Sequence, residues 1–201
     1  MVSGDDTMSG NTTSSGIRGI GRVPWGTHLC HFYRTRQDLV DSIVPYFIAG
    51  LKNNEQCMWG AAAPLYADEA RRELIRAYPA FARCEQQGRI SIFDHYDWYV
   101  GNPKADPVKD LLQAEEKARK AGRKGLRCGG NISWLTRLDY AGFYAYESRV
   151  TRAVRSHRIL AICSYNLELC EGAHVYESIR NHHYTLGRRD QTWELTVSVK
   201  A

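Results

Sequence analysis

The segment Thr27-His28-Leu29-Cys30-His31-Phe32-Tyr33, followed by Thr35-Arg36-Gln37-Asp38, decides the fold. It predicts a strand over 28–33 that leads into a helix with a capping-box start. In nucleotide-binding α/β folds, this strand runs into a Gly-rich turn whose amides hold phosphate. The sequence contains no G-x-x-x-x-G-K-[ST] motif and offers imidazole, thiol and phenol groups instead. The segment therefore argues against an ATPase and for a domain that binds another ligand at the same sheet edge.

Outward from this segment, apolar runs alternate with helix-period patterns along the whole chain. Such alternation predicts an α/β fold with a mostly parallel sheet and helices on both faces. Pro45 is expected to kink the first helix. A last, half-exposed strand is expected at an edge, its orientation left open. The predicted strands cover 28–33, 56–63, 89–93, 125–129, 158–165 and 192–199. The helices predicted after the first one cover 66–78, 140–157 and 172–184, and one more begins at Asp106-Pro107.

Composition indicates one globular domain. The chain has 201 residues, 43% of them hydrophobic, and a net charge of only +5, so nucleic-acid binding is not favoured. No apolar run approaches the ~20 residues of a membrane span, and no secretory pattern is visible, so we expect no membrane association and a cytoplasmic location. Residues 1–20, rich in Gly, Ser and Thr, are predicted to be a disordered tail before a domain over 21–201. The six cysteines form no C-x-x-C pair and are expected to be free thiols.

Ligands in parallel α/β sheets bind beyond the carboxyl ends of the strands, so function is sought there. Aromatic residues are frequent near those ends, namely Tyr33, Trp59, Tyr96, Trp98, Trp134 and Tyr165. They predict either a pocket for a small, mainly apolar ligand or ordinary core packing.

Histidines and cysteines form a second group of interest. His28 and Cys30 share one face of their strand, and Cys163 and His182 are expected to approach that face. The four could converge around a metal or around a polar group of a ligand, or they could be hydrogen-bonded core residues. We favour a metal-free pocket because no short-range ligand pair of the usual zinc type is present.

Glu147 falls in the apolar stripe of Phe143, Val150 and Val154, so it needs either a partner or a function. A structural ion pair with Arg127 and a role in the site are both open. Serine hydrolase chemistry has no support, since no G-x-S-x-G motif exists. Three functions are therefore considered: a ligand sensor, a metal- or thiol-dependent enzyme using the Cys/His set, and a scaffold for protein contacts.

The motifs together resemble the MEDS domain, the methanogen/methylotroph sensory domain. The resemblance begins at Pro24-Trp25-Gly26-Thr27-His28 and continues through Gly125-Leu126-Arg127, Trp134-Leu135, Tyr146-Glu147 and Asn181-His182. It implies a RecA/KaiC-like fold without a phosphate loop, and a sensor of simple hydrocarbon derivatives associated with histidine kinase, PAS or regulator domains. His28, Tyr33, Glu55, Glu147, Cys163, Tyr165 and His182 match signature positions of the family. One departure is Thr136-Arg137, because members often carry an acid after the Trp-Leu pair.

We therefore predict a non-enzymatic sensor that binds a simple hydrocarbon derivative at the carboxyl edge of the sheet. No cofactor is named. The expected partner is a histidine kinase, a separate regulator or a fused output domain. The predicted ligand-binding residues are His28, Cys30, Tyr33, Trp98, Arg127, Asn131, Trp134, Glu147, Cys163, Tyr165 and His182.

Overall fold

The computed structural model describes residues 10–94, 106–133 and 140–198. Within these residues the strands are β1 Thr12–Ser14, β2 Arg22–Pro24, β3 Thr27–Tyr33, β4 Gln56–Ala61, β5 Ile90–Asp94, β6 Leu126–Asn131, β7 Ile159–Asn166, β8 Tyr184–Arg189 and β9 Thr192–Val197. The helices are α1 Arg36–Lys52, α2 Ala67–Ala77, α3 Phe81–Gln86, α4 Pro107–Lys120, α5 Tyr140–Val154 and α6 Gly172–Arg180. In this part of the chain no helix combines the length and apolarity that a membrane span requires.

Seven strands form the main sheet, in the order β5-β4-β6-β7-β3-β8-β9. Neighbouring strands are parallel except for β8 and β9, which form an antiparallel hairpin at one edge. The prediction of a mostly parallel sheet is confirmed. The register sets Cys30 of β3 beside Cys163 of β7, so two strands far apart in sequence place their thiols side by side.

Helices cover both faces of the sheet, and each face has its own core. One face, called the α1 face, packs against α1, α2 and α3 through Leu29, Tyr33 and their neighbours. The opposite face, called the α5 face, packs against α4, α5 and α6. Because side chains alternate along a strand, Leu29 and Tyr33 of β3 face α1, whereas Cys30 and Phe32 face α5.

Several element boundaries differ from the sequence prediction. The capping box of α1 is confirmed, with the Thr35 side chain accepting from the Asp38 amide, and α1 continues through Pro45. The helix expected over 172–184 ends at Arg180, because Tyr184 begins β8, a strand that we did not predict. β8 contains Gly187, Arg188 and Arg189 and lacks a clear strand pattern. Its pairing with β3 and β9 is what makes it a strand.

The N-terminal boundary also needs correction. Within the tail expected over residues 1–20, the structure has β1 paired with β2, with Thr13 and Ser15 fully buried. The order begins earlier than predicted because these polar residues bind a buried arginine, a long-range contact that composition does not reveal.

That arginine is Arg127 of β6, and it forms a fully buried ion pair with Glu55 on the α1 face. Arg127 Nε lies 2.6 Å from Glu55 Oε2, and both side chains are inaccessible to solvent. The remaining guanidinium N–H groups donate to the carbonyls of Ser14, Ser15 and Tyr46 and to the Thr13 hydroxyl. Gly50 leaves the space for it, since a Cβ there would lie 2.7 Å from Arg127 Cδ.

We expect the substitution Glu55→Gln to lower the free energy of unfolding by about 3–5 kcal/mol, because it leaves the Arg127 charge buried without a counter-charge. Urea denaturation followed by circular dichroism measures this loss. The matched control is Glu194→Gln, which breaks the exposed pair of Glu194 with Arg189 and should leave the midpoint almost unchanged. Equal midpoints for the two variants would contradict the role given to the buried pair.

Candidate functional site

Four potential metal or ligand-binding side chains converge on the α5 face: His28 of β3, Glu147 of α5, Cys163 of β7 and His182 of the α6–β8 connection. One donor atom from each lies within 4.8 Å of the others. His28 Nε2 is 3.3 Å from Cys163 Sγ and 3.4 Å from Glu147 Oε2. His182 Nε2 is 3.0 Å from Glu147 Oε2. We call these four residues the His/Glu/Cys cluster.

The hydrogen bonds behind the cluster determine how its two imidazoles are protonated. His182 Nδ1 lies 2.6 Å from the Ser178 carbonyl, which can only accept, so Nδ1 carries the proton. Thr151 gives its only hydroxyl proton to the Asn181 carbonyl. Its oxygen must then accept from His28 Nδ1 at 2.8 Å. When neutral, both imidazoles therefore direct an Nε2 lone pair at the cluster.

The cluster is largely buried. His28, Glu147 and His182 are fully buried, and Cys163 is 9% exposed. Burial lowers the pKa of His28 well below its usual value, and the neighbouring His182 lowers it further. Burial, followed by the Glu147 carboxylate, raises the pKa of the Cys163 thiol well above its usual value. These shifts favour a neutral imidazole on His28 and a protonated thiol on Cys163 when no cation is bound.

A cavity on the α5 face borders the cluster. It comprises about 550 Å³ of non-atom space, open solvent at its mouth included, and His28, Glu147 and Cys163 are among its lining residues. The rest of the wall is largely apolar and includes Met58, Phe93, Leu111, Cys128, Val150 and Ala161. The site thus combines an apolar channel with one compact group of polar atoms.

The structure brings together part of the predicted residue set. His28, Glu147, Cys163 and His182 meet directly. The Tyr165 ring stands edge-on to the His182 ring, with centroids 6.0 Å apart. Cys30 packs in the same apolar group as Cys163 and Tyr165 but is not among the cluster's four donors.

Other predicted residues lie elsewhere. Arg127, Tyr33 and Asn131 project from the α1 face, because strand alternation sends them away from α5. Glu147 therefore does not pair with Arg127, which is bound to Glu55. Trp59 stacks on Phe47 inside the α1 core. Trp98, Trp134 and Tyr96 lie outside the described residues, so the predicted aromatic pocket remains a prediction there.

The position of the cluster also differs from expectation. We expected the site beyond the carboxyl ends of the strands, but His28 is the second residue of β3, and Cys163 lies in the middle of β7. The cluster therefore sits on the sheet face beneath α5. The cavity extends from it toward the carboxyl edge, where Gly60, Phe93 and Gly130 line the wall.

Sequence analysis missed the residues that orient the two imidazoles. Thr151 follows Glu147 by four positions, so both lie on the same side of α5. That spacing was a usable signal. Ser178 acts through its backbone carbonyl, which no side-chain pattern reveals.

The edge where related folds hold phosphate is occupied by the protein itself. Only Arg34 and Thr35 separate β3 from α1. Their backbone amides donate to Asp38 Oδ2 at 3.2 and 3.0 Å. The carboxylate of Asp38, itself paired with Arg188, thus takes the place that an anionic ligand would need.

Comparison with solved structures defines the fold class. The KaiC-like protein PH0186 from Pyrococcus horikoshii OT3 superimposes with a TM-score of 0.59 at 17% identity, covering 94% of this chain and 90% of that one. The flagellar accessory protein FlaH from Methanocaldococcus jannaschii aligns with a TM-score of 0.49 at 12% identity, covering 97% and 83%. The likeness to PH0186 confirms the predicted RecA/KaiC-like class.

Comparison of sequences defines the family. The family model of MEDS, the methanogen/methylotroph, DcmR sensory domain, matches residues 27–183. The chain belongs to this family, which confirms the resemblance. Because the family is a sensory domain, the chain has a sensor role. The transcriptional repressor DcmR of Methylorubrum extorquens (strain DSM 6343 / CIP 106787 / DM4) is 23% identical over 179 residues, which cover 87% of this chain. The chain spans only 64% of that relative's length.

We expect Mg-ATP to bind no more tightly than the millimolar range, because the Asp38 carboxylate already occupies the amides at the start of α1 and repels phosphate. Isothermal titration calorimetry measures this directly. A dissociation constant in the low micromolar range would contradict the prediction. Asp38→Asn serves as the comparison variant, since it removes the repelling charge and keeps an amide-binding oxygen.

Proposed function

We propose that this chain senses a small, mainly apolar molecule bound in the α5-face cavity, with the polar group of that molecule at the His/Glu/Cys cluster. The observation that carries the proposal is the cavity itself, whose apolar wall ends at three buried polar side chains, His28, Glu147 and Cys163. A largely apolar pocket with a few convergent polar groups is the usual form of a small-molecule site.

The shape and chemistry of the cavity favour a simple hydrocarbon derivative. A wall formed by apolar residues such as Met58, Leu111, Val150 and Ala161 gains free energy by removing a short alkyl group from water. A single heteroatom at the far end can accept or donate a hydrogen bond at the cluster. Larger polar metabolites would bury groups for which the wall offers no partners.

A thiol-dependent enzyme is the less favoured alternative. Catalytic cysteines are partly exposed and have a lowered pKa, whereas Cys163 is 9% exposed and burial raises the pKa of its thiol. The family and the curated relative are named for sensing and repression. Both points support a binding role over a reaction at this thiol.

The output of the sensor belongs to a partner. The relative DcmR is a transcriptional repressor, and this chain spans 64% of its length. By analogy, occupancy of the cavity is passed to a regulator or histidine kinase, either as a separate partner or as a fused output domain. The signal reaches α5 first, because Glu147 and the wall residue Val150 are both on that helix.

Ala161→Leu should weaken the binding of short-chain alcohols, thiols and alkyl halides by about tenfold or more, because the added atoms fill the cavity beside the cluster. Saturation-transfer NMR and thermal-shift assays measure the binding. Ala145→Leu, at an exposed position of α5, is the matched control and should bind like the original protein.

Two results would count against the proposal. Equal binding by both variants would show that the probes bind outside this cavity. The failure of every probe to bind the unmodified protein would exclude the hydrocarbon-derivative class.

A further inference from the structure

The His/Glu/Cys cluster places several lone pairs close together in a buried site. The hydrogen bonds at Thr151 and Ser178 direct the Nε2 lone pairs of His28 and His182 inward. The Glu147 carboxylate and the Cys163 sulfur also offer lone pairs there. Among the described residues, Glu147 Oε2 and His182 Nε2 are buried without a hydrogen-bond partner, although they lie 3.0 Å apart. Two facing lone pairs at that distance repel unless a proton or a cation lies between them.

We propose that this cluster is a binding site for a divalent transition-metal ion of the zinc type. The ligands are His28 Nε2, His182 Nε2, Cys163 Sγ and a Glu147 carboxylate oxygen. Each comes from a different element, and all four belong to one buried group. The thiol gives up its proton to solvent on binding, since only the thiolate is a good ligand.

The separations of His28 from Cys163 and from Glu147 fit tetrahedral coordination. Zinc–nitrogen and zinc–oxygen bonds of about 2.0–2.1 Å and a zinc–sulfur bond of about 2.3 Å imply ligand-to-ligand distances of roughly 3.3–3.6 Å. The structure has 3.3 Å between His28 Nε2 and Cys163 Sγ and 3.4 Å between His28 Nε2 and Glu147 Oε2. The other oxygen of that carboxylate, Oε1, lies 3.6 Å from Cys163 Sγ, and one donor atom from each of the four residues lies within 4.8 Å of the others. The shorter contact of Glu147 with His182 lengthens readily by rotation of the carboxylate.

Charge and donor type also select such an ion. One thiolate, one carboxylate and two neutral imidazoles neutralise a divalent cation, so the burial of the site carries no net charge. Imidazole with thiolate suits zinc and its neighbours, whereas magnesium and calcium require oxygen ligands. The outer hydrogen bonds of His28 to Thr151 and of His182 to Ser178 are the kind that orient metal-bound histidines.

The expectation of a metal-free pocket rested on the lack of a short-range ligand pair. That argument fails here because the donors lie at positions 28, 147, 163 and 182, where only the sheet register and helix packing unite them. The metal proposal does not depend on the proposed ligand. It concerns the unliganded protein and is tested without any organic molecule.

The first measurement is the titration of metal-depleted protein with Zn²⁺ and with Co²⁺. We expect one ion bound per chain, with the intense visible bands of tetrahedral cobalt and a near-ultraviolet sulfur-to-cobalt charge-transfer band. Absence of binding at micromolar concentrations would overturn the proposal. It would favour a proton, and not a cation, between the facing atoms of Glu147 and His182.

Variants assign the ligands. Cys163→Ser should remove the charge-transfer band, and His182→Gln should weaken binding at least about tenfold. Thr151→Val, which touches no ion, should weaken binding about 10–100-fold by releasing the His28 ring. The controls are Cys84→Ser, a buried thiol in the core of the opposite face, and His157→Gln, which pairs with Glu115. Both should bind like the original protein.

Binding that Cys163→Ser, His182→Gln and Thr151→Val all retain would place the ion elsewhere and overturn the proposal. Circular dichroism of each metal-depleted variant separates loss of a ligand from loss of the fold. Repeating the alcohol, thiol and halide assays on metal-depleted protein then tests the sensor function separately. The metal site can be present when those probes fail, and the probes can bind when the metal does not.

Discussion

The buried ion pair between Arg127 and Glu55 fixes the polar core of the α1 face and sets it apart from the α5 face, which carries the His/Glu/Cys cluster. It commits the one guanidinium on β6 to the α1 face, where it also holds the polar segment around β1. Glu147 lies on the opposite face, where its carboxylate is close to the imidazoles of His28 and His182 and to the thiol of Cys163.

The two faces handle buried polarity in different ways. On the α1 face each N–H group of the guanidinium has an acceptor, which makes the arrangement rigid and self-sufficient. On the α5 face the cluster is incomplete and borders an apolar cavity. A fully satisfied network needs no ligand, whereas an incomplete one gains free energy when a cation or a polar group completes it. This contrast supports binding at the cluster.

The fold is that of KaiC-like proteins, but at the turn where a phosphate loop would lie the backbone amides are bound by the chain's own side chain. Asp38 binds the amides that precede α1 and pairs with Arg188 of β8. The His/Glu/Cys cluster lies away from this turn, on the α5 face of the sheet.

The sequence by itself determined the α/β class, the order of most elements and the unusual status of Glu147, because hydrophobic periodicity and a charge on an apolar stripe are visible along the chain. The sensory family followed from the resemblance of its motifs. The sequence also singled out His28, Cys163 and His182. Only the tertiary structure decided that these residues meet while Arg127, Tyr33 and Asn131 do not. The reason is that strand alternation and register assign each side chain to a face. Strand β8 and the bound N-terminal segment likewise depend on partners distant in sequence, which local propensity cannot contain.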